Sequence, residues 1–185
     1  MKISGLLVQI LSVAVLAGCG AGSPGVYVPG PTPQLSVPGM QGTLDAFRDV
    51  PTTTTAFKAG TDSVWTALVA VYDEMKIPVT GINSASHAIV STDQRVSTIG
   101  GKRVQDYLDC VDSYGSSSSY DIYLTVFTML SSDDSGGTLA RTQVVATGKP
   151  RTSTNRVGCA SSGTLEMAIA ARVRQKLGLP AENNR

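Results

Sequence analysis

The side chains best suited to chemistry are few, because the chain has one histidine, His87, and three cysteines. A zinc site needs three or four ligands from Cys, His or carboxylate, and a Ser-His-Asp triad would have to use His87 as its base. The sequence holds no Gly-x-Ser-x-Gly nucleophile motif. His87 lies between Ser86 and Ala88 in a predicted turn. We therefore expect His87 to be a surface turn residue rather than a metal ligand or a catalytic base.

Two short strings have the composition of ligand-binding loops but lack the full patterns. Gly100-Gly101-Lys102-Arg103 has neither the upstream glycine of a phosphate loop nor a Ser or Thr after its lysine. Asp133-Asp134 lacks the remaining positions of a calcium loop. We expect a hairpin turn and a solvated loop at these places. The sequence thus predicts no catalytic site, no metal site and no cofactor, and we expect a protein that is not an enzyme.

Cys19 follows a short apolar run, Leu6 to Leu16, which begins after Lys2. The run is shorter than the roughly 20 residues of a transmembrane helix and has the length of a signal-peptide core. Leu16-Ala17-Gly18-Cys19 resembles the lipobox of bacterial lipoproteins, in which the cysteine carries a diacylglycerol and the new amine is usually acylated, often with palmitate. We predict a signal peptide over residues 1–18 and a lipid on Cys19. An ordinary signal peptide with a chance cysteine, and a short buried helix, are the alternatives.

The predicted lipid also indicates where the protein resides. Two or more acyl chains give a stable anchor, at about 0.8 kcal/mol per buried CH₂. The residue after Cys19 is Gly20 and not aspartate, which in Gram-negative lipoproteins implies sorting to the outer membrane. We expect a chain held by its N-terminal lipid in the outer membrane and facing the periplasm.

Residues 19–51 have the composition of a flexible tether. Six of the nine prolines lie between Gly20 and Pro51, together with six glycines. Such a segment cannot build a core, although Leu44 to Val50 could form a helical turn or pack on the domain. We predict one folded domain over residues 52–179 and a tail over 180–185.

The domain shows strand and helix patterns in an order typical of α+β proteins. Apolar residues from Val64 to Met75 recur at helical spacing and predict an early helix, while Leu165 to Leu177 predicts a long C-terminal helix. Trp65, Tyr72 and Tyr107 fit core packing better than a ligand pocket. Helix caps are expected at Thr61 or Asp62 and at Ser161 or Ser162. The predicted strands are 52–58, 77–83, 88–98, 102–110, 120–126 and 138–147. Short links imply an antiparallel sheet of about five to six strands, with both helices on one face.

Two cysteines, Cys110 and Cys159, remain once Cys19 is assigned to lipid. The cell envelope is oxidising, so two leftover thiols in an exported domain suggest a disulfide. Two buried or reactive thiols are the alternative. The bond would join the end of the strand predicted at 102–110 to the start of the final helix.

The charge balance excludes partners that bind by electrostatics alone. Residues 1–18 contain one of the 15 basic residues, Lys2, and no acidic residue, so the mature chain keeps 14 basic and 14 acidic residues. Nucleic acid requires a basic surface, and anionic lipid attracts polybasic segments. We expect neither nucleic-acid binding nor electrostatic attachment to lipid.

Several strings of the domain resemble known envelope proteins. Four strings are similar to a group of uncharacterised envelope lipoproteins. They are Tyr107-Leu108-Asp109-Cys110, Gly158-Cys159-Ala160-Ser161-Ser162-Gly163-Thr164-Leu165-Glu166, Val64-Trp65-Thr66-Ala67-Leu68 and Ile77-Pro78-Val79. The strand and helix at the start also resemble the BamC-type lipoproteins, whose helix-grip domains accompany the machinery that assembles outer-membrane β-barrels. The resemblance implies a helix-grip-like domain and a link to outer-membrane assembly. It covers about residues 52–177.

These observations lead to two functional hypotheses. The first is a non-enzymatic interaction or structural module of the envelope, held by its lipid and bound to an envelope protein. The second is a small apolar-ligand binding or carrier domain, since helices laid on a curved sheet can enclose a cavity.

Overall fold

The computed structural model describes residues 51–110, 120–151 and 154–181. The predicted signal peptide, Cys19 and the tether up to residue 50 lie outside the described residues, as does the end of the tail, 182–185. Within the described ranges no helix is both long enough and apolar enough to cross a membrane.

The described residues form nine strands and two α-helices. The helices are α1 (Thr61–Glu74) and α2 (Thr164–Lys176), and a short 3₁₀ helix spans Val104–Tyr107. The strands are β1 (Thr53–Phe57), β2 (Gly81–Asn83), β3 (Ala88–Val96), β4 (Thr98–Ile99), β5 (Lys102–Arg103), β6 (Leu108–Asp109), β7 (Tyr120–Ser132), β8 (Thr138–Pro150) and β9 (Val157–Ser161). This architecture confirms the predicted α+β class with an antiparallel sheet, an early helix and a C-terminal helix.

The main sheet of the described chain is antiparallel, has seven strands and is organised around the long β7–β8 hairpin. Its order is β2-β3-β7-β8-β9-β6, and β1 also pairs with β8. β7 pairs with β8 along its whole length and occupies one of its edges. β1 and β9 share the other edge, where β1 pairs with Thr138–Thr142 and β9 pairs with Ala146–Gly148. β4 and β5 form a separate two-stranded ribbon.

Both helices pack on the same face of this sheet, as predicted. In β7 the side chains that belong to the core alternate along the strand, because successive residues of a strand point to opposite faces. The core members of this strand are Tyr120, Ile122, Leu124, Val126 and Leu130. They meet the apolar stripes of α1 and α2, which include Val64, Leu68, Val71, Leu165, Ile169 and Val173. Each such buried aliphatic side chain contributes about 1.5–3 kcal/mol.

A β-bulge bends β3 against β7. The pairing register shifts between Ser91 and Gln94, and Asp93 adopts a positive φ of 47°. Bulges add an extra residue to one strand and increase its local bend and twist. The curvature that lets the sheet wrap around two helices is therefore built in part at this position.

The predicted helix caps are wrong at both helices. α1 has its N-cap at Gly60 and α2 at Gly163, and neither cap residue has a side chain that could accept from the first turn. Thr61 instead begins the helix, and its hydroxyl lies 3.3 Å from Thr138 Oγ1. Ser161 lies two residues before the cap of α2, and its hydroxyl bonds the carboxylate of Glu166.

Several predicted strand bounds also need correction. The strand predicted over 102–110 is two short strands, β5 and β6, separated by the 3₁₀ helix, and the strand predicted over 77–83 starts only at Gly81. The sequence analysis missed β9, which pairs with both β8 and β6. Short strands such as β5 and β6 are held by tertiary pairing and carry little periodic signal of their own.

Candidate functional site

An apolar groove lies between the C-terminal end of α1 and β2, which is an edge strand of the main sheet. Its volume is about 500 Å³, and its lining residues are Val69, Asp73, Lys76, Ile77, Pro78, Val79, Ile82 and Ile89. Val79 is 47% exposed and Ile82 is 52% exposed. Large aliphatic side chains that are exposed in the lining of one groove are a feature of binding sites for apolar partners.

The chain turns sharply at the end of α1, and this turn shapes the groove. The Ile77 amide donates to the Tyr72 carbonyl at 2.9 Å, and the Lys76 amide donates to the Asp73 carbonyl at 3.0 Å. This pair of bonds is the Schellman motif, which needs a left-handed residue after the helix. Lys76 supplies it with a φ of 59°. Pro78 then prevents the chain from resuming the helix.

The connection after the turn runs from the core to the surface. Ile77 is buried in the main core, whereas Val79, two residues further, is left exposed. Thr80 fastens the following segment to β3, because its hydroxyl accepts from the Thr92 amide at 2.9 Å and donates to the Val90 carbonyl at 3.3 Å. The segment between Val79 and Ile82 is thus fastened to β3, and this fixes the backbone that carries the two exposed side chains.

The charges around the groove are confined to its rim. Lys76 Nζ lies 3.6 Å from Asp73 Oδ1, and both side chains are largely exposed. An exposed pair of this kind contributes about 0–1 kcal/mol to stability and leaves no net charge. An apolar centre with a polar, neutral rim is the usual composition of a protein-binding patch.

β2 adds a second feature, since it is the outermost strand next to the groove. It has only three residues, and short edge strands limit unwanted pairing with other chains. Ile82 belongs to this strand, so the apolar patch extends from the helix end to the sheet edge.

His87 lies apart from the groove, beside Asp62 and Trp65. Its Nε2 lies 3.2 Å from Asp62 Oδ1, and its ring meets the Trp65 ring edge-on with centroids 5.6 Å apart. The Asp62 side chain is 99% exposed, whereas the triad aspartate is buried. Ser86 Oγ makes no hydrogen bond to any described residue. Within the described ranges, the surroundings of His87 thus lack the buried aspartate and the bonded serine of a triad.

The two weak ligand strings are turns. Gly100 and Gly101 form the turn between β4 and β5, where Gly100 donates to the Met75 carbonyl and its own carbonyl accepts from Arg172. Asp133 lies in the loop between β7 and β8, where hydrogen bonds from the side chain and the amide of Ser135 lower the pKa of the Asp133 carboxyl. Among the described residues, no three His, Cys, Asp or Glu side chains gather as a metal site would require.

Cys110 and Cys159 form a disulfide. Their Cα atoms lie 4.1 Å apart, and 49 positions separate them in the sequence. Cys110 directly follows β6 and Cys159 lies within β9, so the bond joins two strands. The expectation that it joins a strand directly to the final helix is wrong. The reason is that Cys159 belongs to β9, which ends two residues before the N-cap of α2.

Two buried polar groupings had no counterpart in the sequence analysis. Tyr72 Oη lies 2.9 Å from Thr128 Oγ1, which lies 3.0 Å from Thr142 Oγ1, and burial raises the pKa of Tyr72. Burial likewise raises the pKa of Glu166, while the bond from Ser161 partly opposes the shift. The alternation of β7 and β8 places Thr128 and Thr142 on the core face. That alternation is the signal that could have revealed the first grouping.

The space enclosed between the helices and the sheet is small. It measures about 10 Å³ and is lined by Phe57, Leu68, Thr128, Leu130, Thr142, Ile169 and other residues. This is the lower limit for one water molecule. This enclosed space therefore has no room for a ligand larger than water while the helices stay packed on the sheet.

Comparison of the sequence with protein-family models and with curated proteins finds no match.

Proposed function

We propose that this chain is a lipoprotein of the bacterial envelope that binds a protein partner through the groove between α1 and β2. In this proposal Cys19 carries the lipid, residues 20 onward form the tether, and the domain acts as a non-enzymatic interaction module. The membrane would be the outer membrane, with the domain facing the periplasm. The lipobox-like residues Leu16 to Cys19 support the anchor.

The observation that carries the interaction role is the pair of exposed aliphatic side chains, Val79 and Ile82, in an otherwise well-packed domain. Leaving large apolar side chains in water costs about 25 cal/mol per Å², which a partner would recover on binding. Their support is rigid, so binding would not require the groove to be ordered first, and preorganisation of this kind improves affinity.

A link to the assembly of outer-membrane proteins is the narrower form of the proposal. Its support is the resemblance of the strand–helix start to BamC-type domains, together with the confirmed α+β architecture. Likeness of fold does not fix function, so the partner has to be found by experiment.

The test is chemical crosslinking in cells followed by affinity purification, with the Ile82→Asp variant beside the native chain. A charge in the groove should remove the partner that the native chain captures. Met167→Asp is the matched control, because Met167 is 48% exposed on α2 and lies outside the groove lining. Equal capture by the two variants and the native chain would contradict the proposed site.

A small apolar ligand is the second candidate, and the volume of the groove favours it. At about 500 Å³, the groove falls within the usual range of about 300–1,000 Å³ for ligand sites. Native mass spectrometry of the purified protein should then show a bound species that Ile82→Asp no longer retains. A single mass equal to that of the polypeptide, with its lipid if present, would argue against a carrier.

A further inference from the structure

The sheet carries a second apolar cluster, on the face opposite the helices. It consists of Ala88, Val90 and Phe127, with Met129 and Val145 packed against them, and it is separate from the main core. We call these five residues the outer-face cluster. Val90 is only 1% exposed and Phe127 only 6% exposed. Neighbours within one sheet face flank a side chain but do not close over it, so a sheet face this apolar requires a covering layer.

The described part of the chain begins beside this cluster. Gln143 Nε2 donates to Thr52 Oγ1 at 2.7 Å, and Gln143 is the register partner of Phe127 in the β7–β8 pairing. Directly opposed residues of an antiparallel pair lie on the same face. Thr52, near the start of the described residues, therefore lies on the outer face, two strands away from Phe127.

The sequence just before Thr52 has the pattern of a covering segment. Leu44, Phe47 and Val50 are apolar and spaced by three, with charged residues Asp45, Arg48 and Asp49 between them. An extended chain spans about 3.3 Å per residue, so Phe47 can lie up to about 17 Å from Thr52. Neighbouring strands lie about 4.8 Å apart, which brings both Phe127 and Val90 within its reach.

We propose that Leu44, Phe47 and Val50 of the same chain bind the outer-face cluster. The tether would then end near Thr43 instead of Pro51. The folded unit would have three layers over this part of the sheet, formed by the helices, the sheet and the covering segment. The groove at the β2 edge, which the proposed partner uses, would not be involved.

Arg48 provides a direct test, because it is the one Lys or Arg between Lys2 and Lys58. Trypsin is added to the purified mature chain, and the peptide that begins at Asp49 is followed by mass spectrometry. Proteolysis tracks the population of the open form when opening and closing are fast. Removing a buried Phe and a buried Leu should raise the cleavage rate at least about tenfold. The doubly substituted Leu44→Ser, Phe47→Ser chain is therefore expected to be cleaved much faster than the native chain.

Three further measurements complete the test. Leu35→Ser, in the proline-rich part of the tether, should leave the rate unchanged, and Val145→Asp, in the outer-face cluster, should raise it as the double substitution does. The protection should also not depend on protein concentration, because the contact is within one chain. Equal rates for the native and doubly substituted chains, or acceleration by Leu35→Ser, would overturn the proposal. Protection that grows with concentration would mean that a second copy covers the face, and would overturn it too.

Discussion

Removing the Cys110–Cys159 disulfide should destabilise the domain by about 4 kcal/mol. The two cysteines are 49 positions apart, and closing a loop of this length restricts the unfolded chain by about 14 cal/mol/K in the chain-entropy model. At 25 °C this entropy corresponds to about 4 kcal/mol. Domains of ordinary stability unfold at a cost of about 5–15 kcal/mol, so the loss would be a large fraction of the total.

The perturbation is the double substitution Cys110→Ala, Cys159→Ala, and the assay is urea denaturation at a fixed temperature. The pairing of β6 with β9 does not depend on the disulfide, so we expect the folded state to keep its shape. The main effect should be a lower urea concentration at the midpoint of unfolding. The slope against urea should change as well, because the cross-linked unfolded chain exposes less surface. A reducing agent should destabilise the native chain and leave the double variant unchanged.

The loop-closure model expects the double variant to lose about 4 kcal/mol of unfolding free energy. A loss of only about 1 kcal/mol or less relative to the native chain would refute this reasoning. Free, alkylatable thiols at Cys110 and Cys159 in the native protein would contradict the pairing itself.

Three further predictions concern single positions. Gly148→Ala should cost about 1–3 kcal/mol, because a Cβ there would stand 2.9 Å from Tyr120 Cδ1. Gly158→Ala, whose Cβ would meet no described atom within 4 Å, should cost less in the same urea assay, and equal losses would contradict this. Burial raises the pKa of Glu166 above its ordinary value of 4.5, so ionisation is penalised in the folded state. This penalty is absent at a pH below 4.5 and complete at a pH above the raised pKa. As the pH falls from the raised pKa towards 4.5, the native chain should therefore gain stability relative to Glu166→Gln. Parallel pH profiles would refute the assignment. Cys19→Ala should abolish labelling by a fatty-acid analogue, and unchanged labelling would disprove the lipid anchor.

The elements with strong periodicity were predictable from the sequence. α1 has apolar residues at helical spacing, and buried and partly buried residues alternate in β7 from Tyr120 to Val126. Such patterns persist because each element buries one face against the core. The α+β class followed from the order of these elements.

The short elements and the helix starts were not predictable in the same way. β5, β6 and β9 have between two and five residues each, so pairing partners decide their state more than local preference does. The caps were misplaced because Gly60 and Gly163 have no side chain to signal a helix start. Ser and Thr lie close to both positions and resemble the usual cap residues.

The groove could not be predicted because it depends on exposure in the folded protein. In the sequence, Ile77, Val79 and Ile82 all belonged to one predicted strand. The Schellman turn at Lys76 buries the first of them and leaves the other two in solvent. The disulfide, in contrast, could be inferred from the oxidising compartment expected for an exported domain and from parity, since two cysteines remain if Cys19 carries lipid.

Photo-crosslinking from residue 82 in living cells tests the proposed function most directly. A photoreactive amino acid replaces Ile82 in one strain and Met167 in another, since the two side chains are similarly exposed at 52% and 48%. The account predicts a discrete crosslinked envelope protein from position 82 and none from position 167. Crosslinks of equal yield from both positions, or no crosslink from position 82, would contradict the groove as the binding site.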